Sequence, residues 1–323
     1  MKRAVIKGIG AYLPDKKLTN FDLEKMVDTS DSWIVERTGI RTRRIASSEE
    51  TTGTMAILAA KEALLSAGLT GADIDLIILA TTTPDETMPA TATKVQKEIG
   101  MTGGFAFDIQ AACSGFMYGL SVANSYIRSE MVKRVLVIGA DTVSRIVDWT
   151  DRNTCVLFGD GAGAVVLEAK ESDGFSSDSG ILALNMRSDG RYRDMLLASG
   201  GPSTTKTVGH ILMNGREVFR HAVENMTFTA FELLKQSGFK TDDLDYFVPH
   251  QANLRIIDAT CRKLGLSADK VILTLADQGN TSAASVPMAL YNGVKSGKIK
   301  RGNLLLLESM GAGLTWSAGL IRY

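Results

Sequence analysis

Thiols and imidazoles are scarce in this chain: 323 residues carry three cysteines and three histidines, so chemistry that needs either has few addresses. Cys113, Cys155 and Cys261 are odd in number and far apart, which excludes a disulfide framework, and no close pair suggests zinc. Net charge is also missing. Lys+Arg and Asp+Glu both count 36, so nothing global attracts nucleic acid or a membrane surface, and a charged partner must be met by a local patch. The longest apolar strings, such as residues 304–307, are far too short to span a bilayer. The first eight residues break their apolar run at Lys7, unlike a secretory signal, and a cytoplasmic protein is expected. Only 6 prolines stand against 31 glycines, with 45% hydrophobic residues. That balance suits a compact, glycine-turned α/β enzyme, built as one large domain or two halves.

Repetition is the first thing present. Gly68, Asp75 and the apolar run that follows match Gly238, Asp245 and the run ending at His250, at an offset of 170 (245 − 75). Residues 135–139 match residues 304–308 at 169 (304 − 135). Amphipathic helices expected over 55–67 and 223–236 precede the first pair, each closed by a glycine suited to a helix C-cap. Any α/β protein shows some helix–glycine–acid–strand units, but two matches at nearly one offset point to a duplication. The halves would be 1–172 and 173–323, meeting at the polar stretch 171–180. Short apolar runs at 77–79, 135–138, 165–167 and 304–307 read as strands buried on both faces, and the halves would pack with helices between their sheets.

The segment Phe107-Asp-Ile-Gln-Ala-Ala-Cys-Ser-Gly-Phe116 is the most informative. Phe105, Phe107 and Ile109 alternate as a strand does, and helical spacing starts near Ser114. Cys113 thus falls at a helix N-terminus, where unpaired N–H groups favour an anion. A thiol there can ionise near neutral pH and attack a carbonyl; a small buried cysteine would look the same. His250 closes the run Tyr246-Phe-Val-Pro-His, at a strand exit where α/β sheets carry chemistry. His221 sits inside an amphipathic helix and reads as structural, and His210 in a Gly/Thr-rich loop at a rim. Asn280 in Gln278-Gly-Asn-Thr-Ser is a turn or cap residue by default; paired with His250 it would supply a second neutral donor to one carbonyl oxygen. Gly159-Asp-Gly-Ala-Gly163 lacks dinucleotide-fingerprint spacing and precedes a strand, so it reads as a tight turn and argues against an NAD(P) oxidoreductase.

Taken together, Asp31-Ser-Trp-Ile-Val-Glu-Arg-Thr-Gly39, Ala111-Ala-Cys-Ser-Gly-Phe116, Asp148-Trp-Thr-Asp-Arg-Asn-Thr-Cys155, Gly159-Asp-Gly-Ala-Gly163, Val248-Pro-His-Gln-Ala-Asn-Leu-Arg255 and Gly279-Asn-Thr-Ser-Ala-Ala-Ser-Val-Pro287 resemble the β-ketoacyl-acyl-carrier-protein synthase III family of the thiolase superfamily. The likeness runs through nearly the whole chain in family order. It implies a thiolase-like fold, two βαβαβαββ halves stacked as an αβαβα sandwich. It also implies an acyltransferase that initiates type II fatty acid synthesis. Cys113 would accept an acyl group from acetyl-CoA or another short acyl-CoA, and His250 and Asn280 would complete the triad for condensation with malonyl-acyl carrier protein. The oxyanion hole would be the N–H groups of Cys113 and Ala312.

The resemblance further implies coenzyme A contacts at Trp33, Arg37, Arg152, Gly215 and Asn253. Carrier-protein contacts would come from Gln251, Ala252, Asn253, Leu254, Arg255, Arg220, Arg262 and Lys263. No cofactor is implied, since acyl-CoA is a substrate, and the family is homodimeric. Met88 stands where a partner-subunit aromatic often caps the acyl pocket, and Gly311-Ala-Gly-Leu-Thr-Trp316 where members often show three glycines and a phenylalanine. The basic run Arg37-Thr-Gly-Ile-Arg-Thr-Arg-Arg44 is expected to be mostly solvated. A thiolase would need a second cysteine near the C-terminus, and none follows Cys261. A polyketide starter or quinolone-type synthase stays open on these residues.

Overall fold

The computed structural model describes residues 1–323. The first half contributes β1 (Lys2–Tyr12), α1 (Asp31–Thr38), α2 (Thr52–Ala67), β2 (Leu76–Ala80), α3 (Thr91–Glu98), β3 (Phe105–Ile109), α4 (Gly115–Arg128), β4 (Arg134–Asp141) and β5 (Gly161–Glu171). The second contributes β6 (Gly180–Ser188), α5 (Gly215–Gln236), β7 (Tyr246–Pro249), α6 (Leu254–Leu264), α7 (Ser285–Lys295), β8 (Leu304–Gly311) and β9 (Thr315–Arg322). The first sheet runs β1-β5-β4-β2-β3 and the second β6-β9-β8-β7, the same order taken from the same positions in each repeat. In the second sheet the equivalent of β3 shrinks to one bridge between Phe247 and Val271, so that sheet has four strands against five in the first.

Strand alternation builds the layers. All of β2 is buried, yet Leu76 and Ile78 join the inner core with α4 and α7, while Ile77 and Leu79 pack outward against α2. In β8, Leu305 and Leu307 point inward and Leu304 and Leu306 outward to α5 and α6. Two outer apolar clusters and one central cluster that surrounds α4 and α7 therefore fill the spaces between five structural layers, as a sheet buried on both faces demands.

The repeated acids explain the repeat. Asp75 Oδ2 accepts from the N–H of Lys133 (2.7 Å) and Arg134 (2.9 Å), and Asp245 Oδ2 from Leu304 N–H (2.7 Å). Each carboxylate fastens the start of one parallel strand to its neighbour. Leu76 pairs with Val135 and Tyr246 with Leu305, so the structural offset is 170 at both places, and the 169 read from residues 135 and 304 was one residue out. The same offset relates the turns Ala112–Ser114 and Ser282–Ala284, entered by Ala112 at φ 48° and Ser282 at φ 52°.

These turns meet at the centre, where glycine is compulsory. A Cβ on Gly139 would stand 2.2 Å from the Ala283 carbonyl oxygen, and one on Gly311 2.6 Å from the Cys113 nitrogen. Gly163 in β5 likewise faces Pro287 of α7 with a Cβ position 2.8 Å from its side chain; the 159–163 glycines serve strand-on-helix packing as well as a turn. Gly139→Ala should destabilise the protein by about 1–3 kcal/mol or more. Gly190→Ala, with nothing within 4 Å of its Cβ, should change stability by less than about 0.5 kcal/mol. Urea unfolding of both variants checks the contrast, and equal effects would contradict it.

Candidate active site

Cys113, His250 and Asn280 line one cavity of about 770 Å³. Cys113 is the middle residue of the turn between β3 and α4, and that turn is held by β9: Ser114 Oγ donates to Thr315 O (3.1 Å) and Thr315 Oγ1 to Ala111 O (3.0 Å). His250 follows β7 directly, its N–H donating to Glu308 O at 2.7 Å. Asn280 is gripped at its backbone, donating to Leu157 O (2.9 Å) and accepting from Gly159 N–H (3.0 Å). Its side-chain Oδ1 accepts from Ser282 N–H (2.9 Å), so the amide NH2 is the end left free to donate.

Burial dominates the electrostatics. It pushes the Cys113 thiol up to about 11; the hydroxyl of Ser282 pulls the other way, and the charge of Asp141 adds to the rise. Burial also lowers His250 to about 4, and its Nδ1 has no partner. The resting pair is thus a thiol beside a neutral imidazole. That differs from the expectation of a cysteine ionised near neutrality: in the free protein burial outweighs the hydrogen bonds that favour the thiolate. The N–H groups of Cys113 and Ala312 donate to no other residue, which leaves both available to an oxyanion.

The mouth of the cavity is aromatic and basic. The guanidinium groups of Arg37 and Arg152 lie 4.9 and 5.4 Å from the Trp33 ring centroid, and Arg152 is steadied by Asp28 O at 2.9 Å. Trp33, Arg37, Gly215, Ala252, Asn253 and Arg255 all line the cavity; Arg152 stands just outside it. Asn253 caps α6 through Arg255 N–H and donates to Arg37 O at 3.1 Å, which ties α6 to α1. Arg262 and Lys263 are exposed on the last turn of α6, one helix with Arg255. Arg220 is exposed but already paired with Glu217 (2.8 Å) and Glu224 (3.4 Å).

Two residues expected at the carrier-protein surface are turned toward their own chain, Gln251 fully and Leu254 in part. Gln251 is buried, donating to Pro249 O and Ile272 O and accepting from the N–H of Thr274 and Leu275; it is a brace inside the chain. Leu254 packs against Gly39 and the apolar cluster under α1. Met88 is 84% exposed and does not line its own chain's cavity. His221 is buried against Tyr192 and Arg220, and His210 is exposed outside the cavity.

Other contributors went unread. Arg216 lines the mouth, and an arginine beside a helix start is its only sequence signal. Ser282 and Asp141 surround Cys113, yet only the 170-residue symmetry points to them. Glu308, fully buried with both oxygens unpartnered, is pushed well above the carboxyl range by burial; an acid directly after the apolar run 304–307 was its clue. No three His, Cys, Asp or Glu side chains group as a metal set, and no helix is long and apolar enough to cross a membrane.

Known proteins share this fold. Residues 107–190 match the model for 3-oxoacyl-[acyl-carrier-protein] synthase III, and residues 234–323 the model for its C-terminal part. The β-ketoacyl-[acyl-carrier-protein] synthase III of Brucella anthropi is 56% identical over the full length of both chains. The crystal structure of 3-oxoacyl-[acyl-carrier-protein] synthase III from Aquifex aeolicus superposes with a TM-score of 0.94 at 51% identity, covering 99% of this chain and 100% of that one. The priming β-ketosynthase of the R1128 polyketide pathway gives 0.92 at 35%, covering 98% and 95%. The chain belongs to the β-ketoacyl-acyl-carrier-protein synthase III family. It is a thiolase-like acyltransferase.

Because the thiol is raised to about 11, alkylation of Cys113 in the free enzyme should climb only above about pH 9, later than for an ordinary thiol. Ser282→Ala should shift the profile further alkaline, since its hydroxyl favours the thiolate. A midpoint near 8 by iodoacetamide mapping would contradict the buried-thiol reading.

Proposed function

We propose that the enzyme starts type II fatty acid synthesis, moving an acetyl or other short acyl group from coenzyme A to Cys113 and condensing it with malonyl-acyl carrier protein. One observation carries this reading: a thiol, a neutral imidazole and a free carboxamide share one cavity whose mouth presents Trp33 and several arginines. In the first step the Cys113 sulfur attacks the thioester carbonyl while its proton passes, through neutral His250, to the departing coenzyme A sulfur. The oxyanion is met by the Cys113 and Ala312 N–H groups.

In the second step the bond to the malonyl carboxylate breaks and CO2 leaves. The electron pair becomes an enolate whose oxygen is held by His250 Nε2–H and Asn280 Nδ2–H. The carbanion then attacks the acyl-Cys113 carbonyl, and the sulfur leaves and takes up a proton. A neutral His250 suits this work, because it donates to the enolate without protonating the carbanion. Arg255, Arg262 and Lys263 form the local basic patch for the acidic carrier protein, with Ala252 and Asn253 at its edge. Trp33, Arg37, Arg152 and Gly215 receive coenzyme A. We read the protein as a cytoplasmic homodimer that needs no cofactor, with Met88 lent to the partner's acyl pocket.

His250→Ala and Asn280→Ala should each slow malonyl-carrier-protein decarboxylation and condensation by about 10²–10³-fold, with acyl transfer to Cys113 still measurable. Malonyl-CoA should replace malonyl-carrier protein poorly. An equal rate with malonyl-CoA would instead favour a starter-synthase role. Acetyl-, isobutyryl- and octanoyl-CoA as primers would define the acyl pocket that Met88 shapes.

A further inference from the structure

The basic run at residues 37–44 does not behave as one solvated face. Arg37 and Arg41 are exposed and Arg44 partly so, but Arg43 is fully buried. Its Nη1 donates to Leu18 O (3.2 Å) and Asn20 Oδ1 (2.9 Å), and its Nη2 to Val156 O (2.7 Å). It makes no ion pair, and its Nε has no partner. Asn20, also buried, donates from Nδ2 to Asp31 Oδ1 (2.8 Å) and Ile40 O (2.9 Å).

An unbroken line of hydrogen bonds therefore runs from Val156 through Arg43 and Asn20 to Asp31, the first residue of α1. Its two ends belong to two segments that both line the cavity: Val156, Leu157 and Phe158 in one, and Trp33, Arg37 and Thr38 of α1 in the other. The stem of Arg43 also abuts the backbone that holds Asn280, since Cβ atoms on Gly279 and Gly159 would lie 3.0 and 3.3 Å from its own Cβ.

Space-filling does not explain an arginine here. An unpaired buried cation is costly, and apolar side chains of similar volume fill such sites at least as well. Burial lowers this guanidinium only to about 10, so it stays charged at neutral pH. A planar fork can hold acceptors on two separate segments at fixed spacing; a lysine ammonium is a single point.

We propose that Arg43 is a positioning residue that sets the spacing of α1 and the 156–158 segment where both line the cavity, and through it the hold on the nucleotide end of an acyl-CoA. The substrate part of this rests on the function proposed above; the spacing part does not. Arg43→Lys tests it, with Asn20→Ala as a second variant that cuts the same line at another bond. Two readouts are needed: hydrogen exchange by mass spectrometry without substrate, and kinetics with acetyl-CoA against acetyl-pantetheine, which lacks the nucleotide.

Exchange should rise about tenfold or more in residues 31–40 and 154–159, with α2 and α7 unchanged. KM for acetyl-CoA should rise about tenfold, with kcat/KM for acetyl-pantetheine within about twofold of the parent. Uniform loss of protection, an equal loss for both thioesters, or no change in either readout would overturn the proposal. If the parent enzyme uses neither thioester, the functional reading fails and exchange alone judges Arg43.

Discussion

The turns Ala112–Ser114 and Ser282–Ala284 press against the opposite half of the molecule, and the active site exists because they do. Gly139, at the end of a first-half strand, lies on the carbonyl of Ala283; Gly311, ending a second-half strand, lies on the nitrogen of Cys113. Asp141 crosses the same boundary, accepting from Ala283 N–H at 3.2 Å with Oδ2 and from Thr81, Thr82 and Thr83 with Oδ1. A duplicated fold brings equivalent turns together, and only one of the two carries a sulfur. Its mate, Ala283, presents a methyl group, so the pair holds one nucleophile in a rigid frame.

Burial at this junction sets the chemistry. Dehydration holds the sulfur protonated and the imidazole neutral, which protects the thiol from chance electrophiles until a thioester fills the cavity. The same dehydration strengthens every hydrogen bond to a developing oxyanion or enolate. Solvent-facing charge sits instead at the mouth, where Arg37, Arg216 and Arg255 line the entrance. A chain with no net charge can thus meet an acidic carrier and a phosphate-bearing substrate through one local surface.

Strand runs, helix ends and the repeat were legible in the residues because they obey local periods: five buried apolar residues in β2, glycines closing helices, an acid before each parallel strand. Cys113, His250 and Asn280 were legible because each follows a strand or opens a turn. What escaped depends on tertiary dehydration. No local pattern separates Arg43, fully buried, from Arg41, exposed two residues away. Gln251 looked like a surface amide beside a basic helix, yet four hydrogen bonds draw it inside. The burial that raises the Cys113 thiol escaped for the same reason: helix position is visible in sequence, and loss of water is not.

Incubation with acetyl-CoA alone, followed by intact-protein and peptide mass spectrometry, addresses the central claim most directly. The account predicts a mass gain of one acetyl group, confined to the peptide that contains Cys113 and absent from Cys113→Ser. Acetyl retained by that variant, or no transfer to the parent protein at all, would contradict it.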